Sequence, residues 1–150
     1  MRVLVQRAKE AKVVVDQEVV GAIDHGLLVF VGIEDADGEE DANWLVQKIC
    51  KMRIFNDSEG VMNESIIDHH GSFLVVSQFT LHAATKKGNR PSYYRAAKAQ
   101  HAEHLYEYFM ERLWMESNLP VKSGKFGADM KVHLINDGPV TIWIDSKNKE

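Results

Sequence analysis

The chain is predicted to be α+β, a single domain with a mixed sheet and two main helices. Three features of the sequence predict this. Strand-like apolar runs outnumber helical stripes, only two segments repeat apolar residues at helical spacing, and several strand candidates are sequence neighbours that can pair directly. No Pro-, Ser- or Gly-rich linker, low-complexity tract or internal repeat divides the chain.

The elements follow in order. Val3-Leu4-Val5 and Val13-Val14-Val15 are short β-branched runs and read as two strands. Leu27 to Ile33 is broken only by Gly32 and reads as a buried strand, with a turn at Asp37-Gly38. The first helix follows, because Ala42, Leu45, Val46, Ile49 and Met52 fall at helical spacing. Glu39, Glu40 and Asp41 sit near the positive end of its dipole. Arg53 to Phe55 is strand-like, Asn56 to Gly60 is a turn, and Phe73 to Val76 is a strong strand candidate. A long polar loop, His82 to Tyr93, comes next, and loops of that length are more often functional than connecting. The second helix runs from Ala97 to Glu116 on the stripe Ala102, Leu105, Phe109 and Leu113, widened by Tyr106 and Met110, with Pro120 beyond its end. Two last strands, Met130 to Ile135 and Val140 to Ile144, flank the turn Asn136-Asp137-Gly138-Pro139.

A chain of 150 residues, 45% hydrophobic and 27% charged, suits one soluble domain with a real core. The single cysteine, Cys50, excludes an intramolecular disulfide framework and points to a reducing compartment. Arg2, Arg7, Lys9 and Glu10 interrupt any signal-like apolar start, and no run approaches the ~20 residues of a membrane span. A cytoplasmic protein is expected.

The net charge of −4 argues at first against a polyanionic partner. Its distribution argues otherwise. Thr80 to Ala102 holds Lys86, Lys87, Arg90, Arg95 and Lys98 with no acidic residue. Such asymmetry fits either a localised polyanion contact or a solvated lysine-rich loop.

No glycine-rich phosphate loop, Gly-x-Ser-x-Gly elbow or His-Glu-x-x-His stretch is present. His69-His70 read as a solvated turn, and His101 and His104 lack partners at metal-site spacing, so no metal is expected. Two segments remain, the uncharged Ser77-Gln78-Phe79-Thr80-Leu81 and Asn136-Asp137-Gly138-Pro139-Val140-Thr141, whose one charge is Asp137. Thr80 is the one nucleophile candidate with context, where a strand meets a long loop. His82 is either its base or simply the first loop residue. Ser77, Gln78 and Thr80 offer donors, and free backbone N–H groups at the strand end can line an oxyanion hole. Gly138-Pro139 reads either as a hairpin turn or as a cis step forming a narrow backbone projection.

The ordered set Val5-Gln6-Arg7-Ala8, Gly26-Leu27-Leu28-Val29, Arg53-Ile54-Phe55, Val76 to Leu81, Gly88-Asn89-Arg90-Pro91-Ser92, Gly124 to Met130 and Asn136 to Thr141 resembles the D-aminoacyl-tRNA deacylase family over residues 1 to 146. The resemblance implies a barrel-like domain packed as a homodimer, with residues 147 to 150 a disordered tail. It implies hydrolysis of the D-aminoacyl-tRNA ester, and of glycyl-tRNA mischarged on tRNA-Ala, without a cofactor. Ser77, Gln78 and Thr80 are then the catalytic segment. Phe79, Leu81, Phe126 and Arg7 serve substrate binding together with Gly138 and Pro139, a cross-subunit Gly-cis-Pro element that rejects L-aminoacyl groups. Arg7 helps hold that element. Lys86, Lys87 and Arg90 are expected to bind tRNA. Either Thr80 is a nucleophile or the 2′-hydroxyl of the terminal adenosine assists. Phe79 and Val140 favour the D-selective class, whereas His82 and His133 stand where smaller residues are common. Two other readings stay open from the residues alone: a non-catalytic nucleic-acid-binding dimer, and a general esterase using Thr80 and His82.

Overall fold

The structure is a computed structural model describing residues 1–150. Its elements are β1 (Arg2–Val15), β2 (Glu18–Ile23), β3 (Gly26–Gly32), α1 (Glu39–Lys51), β4 (Phe55–Asn56), β5 (Met62–Glu64), β6 (Ser72–Ser77), α2 (Ala99–Ser117), β7 (Val121–Ser123) and β8 (Lys131–Asp145). A 3-10 turn, Phe79–His82, closes β6.

β1 organises the sheet. One of its edges pairs antiparallel with β3 over Arg2 to Ala8 and with β2 over Ala11 to Val15; the other edge takes β8. β3, β6 and β7 run parallel, as expected where helices make the crossovers: α1 lies between β3 and β6, and α2 between β6 and β7. β3 and β6 are therefore buried on both faces and read as continuous apolar runs. One face packs Leu27, Val29, Phe73 and Val75 against Leu45 and Ile49 of α1 and Leu105, Phe109 and Leu113 of α2. The other turns Leu28, Leu74 and Val76 toward Val13 and Ile23, forming a second core inside the curled sheet. Each such large apolar side chain contributes about 1.5–3 kcal/mol on burial.

The expected class holds: α+β, a mixed, nearly barrel-like sheet, two helices and one domain. Several elements differ from expectation. The two predicted N-terminal strands are one 14-residue strand, because Ala8 and Ala11 keep the interior side filled through the polar stretch between them. The last two predicted strands are also one, of 15 residues, since both halves pair with the same edge of β1. Asp137-Gly138 is thus not a hairpin turn. Asn136 pairs with Ala8 and Thr141 with Gln6, so four residues, 137 to 140, stand opposite Arg7 alone and are pushed out as a corner. The strand expected at Arg53 to Phe55 shrinks to β4, which pairs with β5. Past residue 146, Lys147 donates to the Ala36 carbonyl at 3.1 Å and the Asp41 carboxylate at 2.9 Å.

Closure depends on Gly21. A Cβ there would lie 2.2 Å from the Ser123 carbonyl oxygen of β7, so only hydrogen lets β2 lie against β7. Gly21→Ala should lower stability by ~1–3 kcal/mol through this overpacking. Urea unfolding reads it as a lower midpoint; an unchanged midpoint would mean that β2 and β7 part freely.

Candidate active site

The Ser77–Leu81 segment is set by β6 and the 3-10 turn. Gln78 N–H donates to the Val31 carbonyl at 2.7 Å, which ends the strand against β3. Leu81 N–H donates to Gln78 O and Ala83 N–H to Thr80 O, and Arg2 Nη1 holds the Leu81 carbonyl at 3.0 Å. The first N–H groups of any helical turn lack intrahelical acceptors. Here those of Phe79 and Thr80 have no acceptor in the chain. Gln78 Nε2 donates to Thr80 Oγ1 at 2.6 Å, leaving the threonine proton free to point elsewhere.

Beside this turn lies a cleft of about 420 Å³, lined mostly by apolar groups including Val31, Val76, Phe79, Phe126 and Val132. Ser77 and Gln78 supply its polar side. Asp129 is the one charged lining residue, and its exposed carboxylate is held by Lys131 at 2.9 Å. Phe79 is 57% exposed and meets Tyr93 edge to face at 5.1 Å. Tyr93 carries no signal in the sequence beyond its place in the loop. That loop is pinched by bonds between Ala84 and Ser92, so Lys86, Lys87 and Arg90 project from a tethered base, exposed and without ion pairs. Arg95 instead pairs with Glu34 at 2.9 Å.

The second segment forms the corner opposite Arg7. The Gly138–Pro139 bond is cis, and Gly138 has φ +129°. Arg7, only 7% exposed, donates from Nε to the Asp137 carbonyl at 3.1 Å and from Nη1 to the Ile54 carbonyl at 2.6 Å. Asn136 Oδ1 accepts from Val140 N–H at 3.1 Å, while its Nδ2 donates to Thr141 Oγ1 at 2.8 Å. Ile54 thus joins the corner through its carbonyl, a contact no side-chain pattern announces.

None of Asn136 to Thr141 lines the cleft beside the Ser77–Leu81 segment. Arg2 holds the Leu81 end and Arg7 holds the corner. Five residues of extended strand place these anchors about 16 Å apart.

Fold and cleft together define a small barrel-like enzyme domain with a mostly apolar site whose polar side is Ser77 and Gln78. The family described as D-Tyr-tRNA(Tyr) deacylase matches residues 4–145. D-aminoacyl-tRNA deacylases of Flavobacterium psychrophilum, Chromobacterium violaceum and Bacteroides fragilis (strain YCH46) are 57%, 56% and 55% identical, over the whole of both chains. Among solved structures, one described as c-Myc DNA Unwinding Element Binding Protein is 39% identical, with TM-score 0.92 over 97% of this chain and 98% of that one. A probable eukaryotic D-amino acid tRNA deacylase, 18% identical with TM-score 0.81 over 95% and 97%, shares the fold. The chain belongs to the D-aminoacyl-tRNA deacylase family and is a hydrolase.

The histidines differ from expectation. His82 is not a loop residue: it ends the 3-10 turn, is 1% exposed, and has no hydrogen-bond partner on either ring nitrogen. Its Nδ1 lies 3.9 Å from Glu34 Oε2, while Thr80 is engaged by Gln78, so Thr80 and His82 form no nucleophile–base pair. His69 is half-buried and bonded rather than solvated, and His101 reaches the Asp37 carbonyl at 3.0 Å. No group of three potential metal ligands converges anywhere.

Burial holds the proton affinity of His82 below its ordinary 6.5, partly offset by the Gly32 backbone. The unfolded chain therefore takes up a proton that the folded one resists. Stability is complete above pH 6.5 and is lost as the pH falls below it. His82→Leu should flatten the unfolding free energy between pH 6.5 and the carboxylate range, measured by urea titration at several pH values. An equally steep loss in the variant would assign the acid sensitivity to other groups.

Proposed function

We propose that the chain hydrolyses the ester of D-aminoacyl-tRNA to free D-amino acid and tRNA, at sites built from two subunits. The observation that carries this reading is the pair of unengaged N–H groups of Phe79 and Thr80 beside a mostly apolar cleft, whose one carboxylate, Asp129, is exposed and paired with Lys131. Water adds to the ester carbonyl carbon, and the oxyanion that forms is stabilised by these two donors. The bond to the ribose 3′-oxygen then breaks, and that oxygen keeps the proton that water gave up. The neighbouring 2′-hydroxyl of the terminal adenosine relays this proton. Gln78 fixes the Thr80 hydroxyl as a further donor, and Phe79 and Phe126 line the cleft, whereas Leu81 does not.

Stereochemistry is assigned to the partner's corner. No residue of the corner lines the cleft of its own chain, which supports a second copy placing Gly138–Pro139 there. A partly exposed apolar strip supports the same arrangement. Trp143, Leu4 and Phe30 stand side by side in register across β8, β1 and β3, and Trp143 is 47% exposed. Backbone at the corner presents no side chain that can yield, so it excludes one substituent of the substrate α-carbon. L-aminoacyl groups clash, D groups turn away, and glycyl groups have nothing to clash, which extends the reading to glycyl-tRNA mischarged on tRNA-Ala. Lys86, Lys87 and Arg90, exposed on the tethered loop, meet tRNA phosphates. The setting proposed is the cytoplasm; no helix is long and apolar enough to cross a membrane.

Hydrolysis of matched D- and L-tyrosyl-tRNA by the purified protein tests the reading. Fast release is expected from the D form and none above background from the L form, because the exclusion is steric. Equal rates on both would contradict it.

A further inference from the structure

Arg7 holds the corner only as firmly as its own acceptors are held. Its Nη1 bonds to the Ile54 carbonyl at 2.6 Å and lies 3.4 Å from Asn56 Oδ1, while Nε faces Asp137. A Cβ on Gly138 would sit 3.1 Å from Nη2. The guanidinium is thus a plate between the corner and residues 54 to 56. Phe55 and Asn56 are the two-residue β4, with Ile54 just before it; β4 pairs only with the three-residue β5, and so small a hairpin has little stability of its own.

A histidine outside the active-site segments supplies what that hairpin lacks. His69 Nε2 is 2.9 Å from the Asn56 carbonyl and 2.8 Å from Glu64 Oε2, so one N–H joins β4 to β5. Its ring stacks on Phe55 with centroids 4.9 Å apart and 29° between planes. The His69 carbonyl in turn meets His25 Nε2 at 3.3 Å, tying the turn to the start of β3. The chain of contacts is unbroken from His69 through Phe55 and Asn56 to Arg7 and then to Asp137 and Gly138.

We infer that His69 is a positioning residue for the Gly138–Pro139 corner, acting through Asn56 and Arg7 and setting how sharply D and L substrates are told apart. This rests on the proposed role of the corner as the stereochemical wall. His69 touches neither the cleft nor the Ser77–Leu81 segment. Its loss therefore acts on the wall rather than on the oxyanion donors.

The test compares His69→Ala, His69→Gln and Gly138→Ala in the full-length protein, using D- and L-tyrosyl-tRNA. The Arg7 Nε–H resonance is followed alongside by NMR. Removing His69 should reduce D-over-L discrimination roughly three- to ten-fold, the effect of one net hydrogen bond. Saturating turnover of the D substrate should fall by less, and the Arg7 resonance should shift or broaden. Glutamine, which can still donate to the Asn56 carbonyl, should restore most of the discrimination and the resonance. If Gly138→Ala loses selectivity while both His69 variants keep it, the corner is the wall but His69 does not position it. Selectivity retained in all three variants would remove the wall reading and this inference with it. An Arg7 resonance unmoved in His69→Ala overturns the inference whatever the wall does. Should the alanine variant fail to fold, the same comparison is made between His69→Gln and His69→Phe, which keeps the stack and loses the donor. Phe should then lose the discrimination that Gln retains; equal discrimination in the two overturns the inference.

Discussion

Everything distinctive here depends on one mismatch along β1. Between the pairs Ala8–Asn136 and Gln6–Thr141, β1 contributes one residue and β8 contributes four. The surplus cannot lie in the sheet, so it leaves the sheet as the corner. Arg7 is the residue opposite, and a buried guanidinium is tolerated only when its donors are used. Carbonyls of Ile54 and Asp137 use them, and in doing so fix where the corner points. A lysine would keep the charge and lose the planar fork that reaches both carbonyls. The same shortage of partners that would make Arg7 costly makes it an anchor.

The other half of the site follows from how β6 ends. A strand that runs into a 3-10 turn leaves the first amides of that turn unpaired. At the mouth of an apolar cleft they are donors waiting for a developing negative charge, and they need no protonation change to act. His82 is buried at the end of the turn with no hydrogen-bond partner on its ring nitrogens, and burial holds its proton affinity below the ordinary value. Its role is therefore felt in acid stability rather than in proton transfer. Under the proposed function such a site discriminates by shape, through the placement of the corner rather than through any single side chain in the cleft.

Much of this was legible in the sequence, for identifiable reasons. The helical stripes of α1 and α2 appear in the spacing of Leu45 and Ile49, and of Leu105, Phe109 and Leu113. The parallel strands appear as unbroken apolar runs because both faces are covered. The continuity of β1 and β8 was not legible, since polar residues mid-strand look like breaks until the partner strand is known. Asp137-Gly138 carries a strong local turn signal, and long-range pairing with β1 overrode it. Ser77 to Leu81 stood out as an uncharged segment after a strand and Gly138-Pro139 as a candidate cis step, whereas Arg7 came only from the family resemblance. Asn56 and His69 did not stand out, because their contacts run through a carbonyl, an amide oxygen and a ring stack that have no sequence period. The burial of His82 had no signal either: a histidine after Leu81 reads the same exposed or buried.

The central claim, that each site takes its amides from one chain and its wall from another, is tested most directly by a mixed dimer. One subunit carries Phe79→Pro, which removes an amide donor at a first-turn position where proline is tolerated. The other carries Gly138→Val, which disturbs the corner beside Arg7 and Val140. In a cross-subunit arrangement both lesions fall in one site and the other is intact. The purified heterodimer then hydrolyses D-tyrosyl-tRNA at half the wild-type rate and leaves the L form untouched. If each chain builds its own site, no intact site exists, and the site that keeps its amides beside the altered corner consumes L-tyrosyl-tRNA together with the D form.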